Sequence, residues 1–398
     1  MNPAKRLELP QNLAEAAESE GRHQWLTTVL PEIVAQARNR WSLTVGEPFQ
    51  PGGQTAWVAP ARDAAGAGLV LKVAWPHPEA AHEADGLRAW AGHGAVRLYA
   101  AHDFGEAQAL LIERCLPGTE LSSRPEPEQD TVVATLLRRL WIQPAPESPF
   151  ASLEWMCHRW ADRFERTLAA GQQTALDPGL ARAGLALFRE LPATAGTRVL
   201  LCTDLHAGNV LAAAREPWLV IDPKPHVGDP AYDPLQHMLN CEQRLHADPR
   251  GLARRMAGLL DLDTDRVLSW LFARCVQESA EWPALAEVAR TIAPRLALAV
   301  QGGGRIAPWV PGRLSRRTRR TGTYSAGRGA VRAIGRISRR RRLPRPAGPA
   351  SGIGQRGRPA GSPGSRTHRA VAAGGWQVSA PLPSAGAAVH MPGCPPRR

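Results

Sequence analysis

Residues 200–211, LLCTDLHAGNVL, set an aspartate, a histidine and an asparagine between two apolar runs. Neither helical nor strand periodicity accounts for so many polar groups in so short a space. After Asn209 come VLAA, the polar turn AREP, then WLVI and Asp222. Two apolar runs around a polar turn read as a hairpin. A turn centred between Arg215 and Glu216 puts Asn209 opposite Asp222, with side chains about 5 Å apart. Asp204 opens the loop five residues before Asn209. The expected result is a pocket of two carboxylates and one amide, with Cys202 as the only soft ligand nearby. Oxygen ligands of this kind suit Mg²⁺, which binds through one or two carboxylates plus substrate phosphates.

D-x-x-x-x-N, a hairpin and a second Asp also form the arrangement used in kinase-fold phosphoryl transfer. By that logic Asp204 is the base, and Asn209 and Asp222 are the metal ligands. The chemistry further needs a strand lysine for the phosphates and a helix glutamate to hold it. The chain has three lysines: Lys5, Lys72 and Lys224. Lys72 sits in GLVLKVAW, the third of three strand-like runs between residues 40 and 75. In so arginine-rich a chain, a merely exposed strand position would favour arginine. The helix expected next, over 79–90, offers Glu79 and Glu83, and Glu83 is the better partner. FQPGGQTAWV, residues 49–58, is the candidate phosphate-covering loop, where Gly52 and Gly53 let backbone amides approach oxygens. LLIERCLPG runs between the lobes, and its backbone at Glu113 and Cys115 is placed to meet an adenine edge.

The remainder divides into three parts. Residues 1–114 read as a β-rich, nucleotide-binding lobe opened by helical segments over 10–39. Residues 115–300 read as a mostly helical lobe carrying the polar loop. Residues 301–398 hold 20 arginines and no lysine, aspartate or glutamate, whereas residues 1–300 hold 29 basic and 36 acidic residues. The overall charge of +13 therefore describes neither an acidic body nor a basic tail. The tail is too polar and too rich in Gly and Pro to offset its ordering entropy, and is expected to be disordered. Two readings of it stay open: a nucleic-acid-binding arm, or out-of-frame translation of GC-rich DNA from near residue 300, which the composition favours. Six scattered cysteines without a C-x-x-C pair argue against zinc and against a disulfide framework. No apolar run suits a secretory leader or a membrane span of ~18 residues. A soluble, cytoplasmic monomer without membrane or specific nucleic-acid partners is expected.

TDLHAGNVL together with VIDPKPHVGDPAYDPLQHMLN resembles the aminoglycoside phosphotransferases, in particular the streptomycin 6-kinase branch, the aminoglycoside/hydroxyurea resistance kinases. The resemblance covers residues 20–300. It implies an α+β, bilobal protein-kinase-like fold and transfer of the ATP γ-phosphate to a streptomycin hydroxyl, the 6-position of the streptidine ring. It assigns the base to Asp204, the metals to Asn209 and Asp222, and the phosphate lysine to Lys72. Cys202-Thr203 stands where the wider superfamily commonly has His-Gly, a difference that bears on loop packing. Streptomycin carries guanidinium groups, which carboxylates pair bidentately. Asp229, Asp233, Glu242 and Glu278 are the candidates, and Asp233-Pro234 also has the look of a helix N-cap. Another hydroxylated acceptor, or nucleic acid bound by the arginine tail, are the competing readings. Deleting residues 301–398 is expected to abolish any salt-sensitive nucleic-acid binding and to leave nucleotide-dependent turnover intact, as filter binding and a coupled ATPase assay would register.

Overall fold

The computed structural model describes residues 7–293, apart from residues 79, 172 and 173. The arginine-rich tail lies outside the described residues. The helix expected over 79–90 begins later, at Glu83.

Five strands make the first sheet, in the antiparallel order β1-β2-β3-β5-β4: β1 (Thr44–Val45), β2 (Ala56–Arg62), β3 (Gly68–Ala74), β4 (Leu98–Asp103) and β5 (Gln108–Glu113). The near-continuous apolar run of β3 follows from burial on both faces. Successive side chains of a strand point to opposite sides. Leu69, Leu71 and Val73 meet α1 (Gln11–Ser19), α2 (Leu30–Arg40) and the π-helical turn Trp25–Val29 before α2. Val70 packs instead with the core that runs into the second lobe. Lys72 has the parity of Val70, and its register partners are Val58 and Leu110. The helical cap on the outer face is anchored by a tryptophan of the π-helical turn. Trp25 donates to the Glu106 carbonyl at 2.8 Å and stands edge-on to Trp75, with ring centroids 5.3 Å apart.

Helix α3 (Glu83–Trp90) packs on the cleft side of this sheet. Gly86 faces Pro225 so closely that a Cβ there would lie 2.7 Å from the proline ring. The absence of a side chain at 86 therefore sets how near α3 comes to the segment after Asp222.

The second lobe holds α4 (Glu126–Leu140), α5 (Leu153–Ala169), α6 (Pro178–Glu190), α7 (Leu235–Asn240), α8 (Glu242–Ala247), α9 (Pro249–Leu260), α10 (Thr264–Glu278) and α11 (Leu285–Ile292). Helix α10 is its centre: Trp270, Leu271, Phe272, Cys275 and Val276 are all buried. Two small ribbons interrupt the helices. β6 (Val199–Leu201) pairs with β9 (His226–Gly228), and β7 (Val210–Ala212) pairs with β8 (Trp218–Val220). Together with the sheet lobe this is the bilobal, protein-kinase-like fold expected from the sequence.

The β7–β8 hairpin is tied to both lobes. Val220 exchanges backbone hydrogen bonds with the 94–96 segment, at 2.9 and 3.0 Å. Ala212 does the same with Gly118 and Thr119 in the connection between lobes. Arg215 at the hairpin tip donates to both carboxylate oxygens of Glu113, at 2.9 and 2.8 Å, and to the carbonyls of Gly92 and Ala95.

Asp130 in α4 is fully buried and fully paired. It accepts from His237 at 2.9 Å, from Arg244 at 3.1 and 2.8 Å, and from Arg255 at 2.5 Å, which fastens α4 to α7, α8 and α9. Asp130, His237 and Cys241 are close enough to hold an ion. Two guanidinium groups on the same carboxylate disfavour a cation, and we read the cluster as structural. Burial raises the Asp130 pKa, but His237 and the two arginines outweigh it and hold the carboxyl far below its ordinary range. Removing one partner of a buried ion pair strands the other charge. Asp130→Ala should lower unfolding stability by about 3 kcal/mol, the low end for such a loss because Arg244 and Arg255 keep solvent contact. Urea unfolding would measure it.

Candidate active site

The polar loop is held from below. Asp233 has no solvent exposure, and accepts from the Cys202 amide at 3.1 Å, the Thr203 amide at 2.7 Å and the Trp141 indole at 2.9 Å. Those donors fix the loop backbone just before Asp204. Burial pushes the Asp233 pKa up to about 6 against the pull of these donors. Thr203 stands at φ +53°, in the left-handed region where a β-branched residue is strained. Its hydroxyl compensates with a 2.5 Å bond to the Lys224 carbonyl. This is how the loop accepts Cys202-Thr203: the Cys202 side chain is buried, and the threonine supplies a bond that glycine could not.

Asn209 donates through Nδ2 to the Asp204 carbonyl at 3.0 Å, so its amide oxygen is the end left for a cation. The His206 ring accepts from the Gly208 amide at 3.2 Å. Burial lowers the His206 pKa, which keeps the imidazole neutral around neutral pH. The Asp204 side chain is mostly enclosed, and its Oδ2 is contacted by Lys224 Nζ.

Across the cleft, Lys72 Nζ lies 2.7 Å from each oxygen of Glu83 and 2.6 Å from Asp222 Oδ1. Burial opposes a charged lysine, but Asp222 and Glu83 outweigh it and carry the Lys72 pKa above its ordinary value. Burial likewise opposes the Asp222 carboxylate, and Lys72 and Lys224 hold it far below its usual range. Asp222 keeps 41% of its side chain exposed, so it faces the cleft rather than the core. Asn209 and Asp222 offer hard oxygen donors of the kind Mg²⁺ takes.

Asp204, Asn209, Asp222, Lys72 and Glu83 are thus brought to one cleft, with one correction to the expected geometry. The hairpin pairs Val210 with Val220 and Ala212 with Trp218, so the turn centres on Arg215. Asn209 lies opposite Ile221, whose amide donates to the Asn209 carbonyl at 2.9 Å. Asp222 comes one residue later, at φ +52°, where the chain turns out of the ribbon. A left-handed residue ends strand alternation, and counting residues cannot reveal it.

The other expected residues are placed as follows. Gly52 lies in the β1–β2 turn against Pro10, and Gly53 beside it has open space. The Glu113 carboxylate is engaged with Arg215. Cys115 is buried, and burial pushes its thiol up to about 11. Glu242 and Glu278 line a shallow concavity with Leu239, Leu245, His246 and Trp282. Glu278 is also paired with the buried Arg274 at 2.7 Å. Asp229 and Asp233, expected at the substrate, are turned inward. Asp229 caps the short turn Pro230–Tyr232 and takes Trp270 at 2.6 Å and Arg266 at 2.5 Å. Asp233, by contrast, caps no helix; it braces the polar loop. Both are buried acceptors already supplied with donors by the protein.

Lys224 is the functional-site residue that the sequence reading left without a role. Its signal was present: it is one of three lysines in the chain and lies two residues past Asp222. Trp141 left no such signal, because its partner Asp233 is 92 residues away.

A helical lobe under a sheet, with a lysine–glutamate pair facing an Asp-Asn-Asp set, defines a kinase-fold phosphotransferase. Residues 40–285 match the aminoglycoside/hydroxyurea antibiotic resistance kinase family, and the chain belongs to it. A hydroxyurea phosphotransferase of Kitasatospora aureofaciens is 38% identical over 261 residues, which cover 62% of this chain and 72% of that protein. A streptomycin 6-kinase of Streptomyces griseus is 34% identical over 292 residues, or 70% of this chain and 92% of the relative. Another from Streptomyces glaucescens is 33% identical with the same coverage. No helix among the described residues is long and apolar enough to cross a membrane.

Asn at 233 would keep one acceptor oxygen and turn an NH₂ group toward amide donors. Asp233→Asn should therefore cost about 1–3 kcal/mol of stability, the penalty for an unsatisfied buried group. Comparing urea midpoints of the two proteins would check it.

Proposed function

We propose that this chain transfers the γ-phosphoryl group of ATP to a hydroxyl of streptomycin, the 6-hydroxyl of the streptidine ring by resemblance. The observation that carries the reading is the 2.6 Å contact between Lys72 and Asp222, 150 residues apart, which sets a strand cation and a carboxylate at one cleft with Asp204. Residues 1–114 are the nucleotide lobe in this reading, and residues 115–300 the acceptor lobe. The connection at Glu113 and Cys115 offers its backbone to adenine. Lys72, steadied by Glu83, turns the N–H that it now gives Asp222 toward a phosphate oxygen. Asn209 and Asp222 would hold Mg²⁺, which would neutralise phosphate charge.

Asp204 keeps Oδ2 on Lys224 and takes the acceptor proton on Oδ1. The hydroxyl oxygen then bonds to the γ-phosphorus as the bond to the ADP oxygen breaks. Lys224 fixes the carboxylate in that orientation. Glu242, exposed at the start of α8, is the acidic group of the four that a guanidinium can approach, whereas Glu278 is buried against Arg274. The 38% identity to a hydroxyurea phosphotransferase favours a second acceptor, hydroxyurea, at the same site.

Incubation with ATP, Mg²⁺ and either acceptor, followed by mass spectrometry for an added phosphoryl group, tests both. Streptomycin should gain the group, and 2-deoxystreptamine drugs should be poor substrates. Asp204→Ala should lower turnover by ~10²–10⁴-fold, the range for a lost general base. Turnover near that of the unaltered chain would remove Asp204 from the role.

A further inference from the structure

The β1–β2 turn is fastened to the start of α1 and to the chain just before it. The Asn12 amide donates to the Pro51 carbonyl at 3.1 Å, and Asn12 Nδ2 donates to the Gly52 carbonyl at 2.8 Å. Gln50 accepts from the Gln11 amide at 3.2 Å, and its NH₂ group reaches the Leu9 carbonyl at 3.4 Å. Trp57, at the start of β2, donates to the Glu8 carbonyl at 2.9 Å. Pro10 closes the same side: a Cβ on Gly52, which stands at φ +76°, would lie 2.4 Å from the Pro10 Cβ. Glycine at 52 is thus required by this packing.

A trans peptide points its C=O and N–H in opposite directions. The bonds that join residues 51 to 52 and 52 to 53 are trans. With both carbonyls turned to Asn12, the amides of Gly52 and Gly53 point away from α1. Helix α1 packs on the sheet face that carries Leu71 and Val73, opposite to Lys72. The two amides are therefore turned away from the helix that covers that face. A side chain at Gly53 would meet nothing within 4 Å, so the approach is open. Successive N–H groups of this kind form an anion-binding concavity.

We propose that residues 8–12 are a strap that sets the phosphate-covering loop in its nucleotide-receiving shape before ATP arrives, with Asn12 as the positioning residue. The proposal rests on the kinase reading above. Ordering a loop costs conformational entropy, and a strap shifts that cost from binding to folding.

The test is calorimetric binding of the ATP analogue AMP-PNP with Mg²⁺, and of adenosine, to the full chain, Asn12→Ala and Gln50→Ala. Asn12→Ala should weaken AMP-PNP by up to about fivefold, the worth of one net hydrogen bond, and leave adenosine unchanged. Gln50→Ala, at an exposed position where unfolding is not at issue, should weaken AMP-PNP in the same selective way. Unchanged AMP-PNP affinity in both variants overturns the strap, as does equal weakening of AMP-PNP and adenosine. An unaltered chain that binds neither ligand removes the kinase reading and the strap with it, whereas failure of the variants alone leaves that reading standing.

Discussion

A lysine ammonium buried at the interface of two lobes is tolerated only if carboxylates meet it. Lys72 is in that position, and its two partners come from separate elements: Glu83 from the first turn of α3, and Asp222 from the segment after β8. Three pieces of chain must therefore converge within hydrogen-bond distance of one nitrogen. Much of the surrounding structure serves that convergence. Gly86 lets α3 close on Pro225. The backbone exchange between Val220 and the 94–96 segment places the end of β8 beside the same helix. Arg215 then ties the hairpin tip to Glu113, where the sheet lobe ends.

The residues that met at the cleft were legible because their chemistry conflicts with their neighbourhood. A lysine within GLVLKVAW, or Asp, His and Asn inside an apolar run, has no explanation from packing. The alternation of β3 likewise reported its two covered faces. What escaped were features set by distant partners or by single backbone angles. Asp-Pro at 233 has the local look of a helix cap, while its actual donors are Trp141 and two amides of the polar loop. The Asp-Pro pairs at 177 and 248 do cap helices, so the motif alone does not decide. The hairpin register missed by one residue because the turn centres on Arg215 and not between Arg215 and Glu216, and Asp222 then leaves strand geometry at φ +52°. Gly52 was read for phosphate approach, whereas Pro10, forty-two residues earlier, is what excludes a side chain there.

The loop below Asp204 shows how a departure from a wider pattern can be absorbed. Threonine at a left-handed position carries a backbone cost of order 1–3 kcal/mol. Here its amide is taken by Asp233 and its hydroxyl by the Lys224 carbonyl, so both donors of the strained residue are satisfied. The second bond reaches the very residue whose side chain contacts Asp204. The strain at 203 and the position of Lys224 are thus parts of one local solution.

Residues 1–300 contain 26 arginines and three lysines, and two of those lysines face the cleft. Geometry explains why arginine does not replace them. Lys72 points its three ammonium donors at three oxygens from two elements, all within 2.6–2.7 Å of one nitrogen. A guanidinium spreads its donors over a rigid plane, so that the groups it meets lie around that plane and not about one atom. Arg215 illustrates that spread, meeting Glu113 with two nitrogens and Glu216 with the third at the periphery. At the centre of the site a compact charge is needed, one that several carboxylates can share and that can redirect a donor when another anion enters. At 72, in a chain so rich in arginine, an ammonium supplies that compact charge.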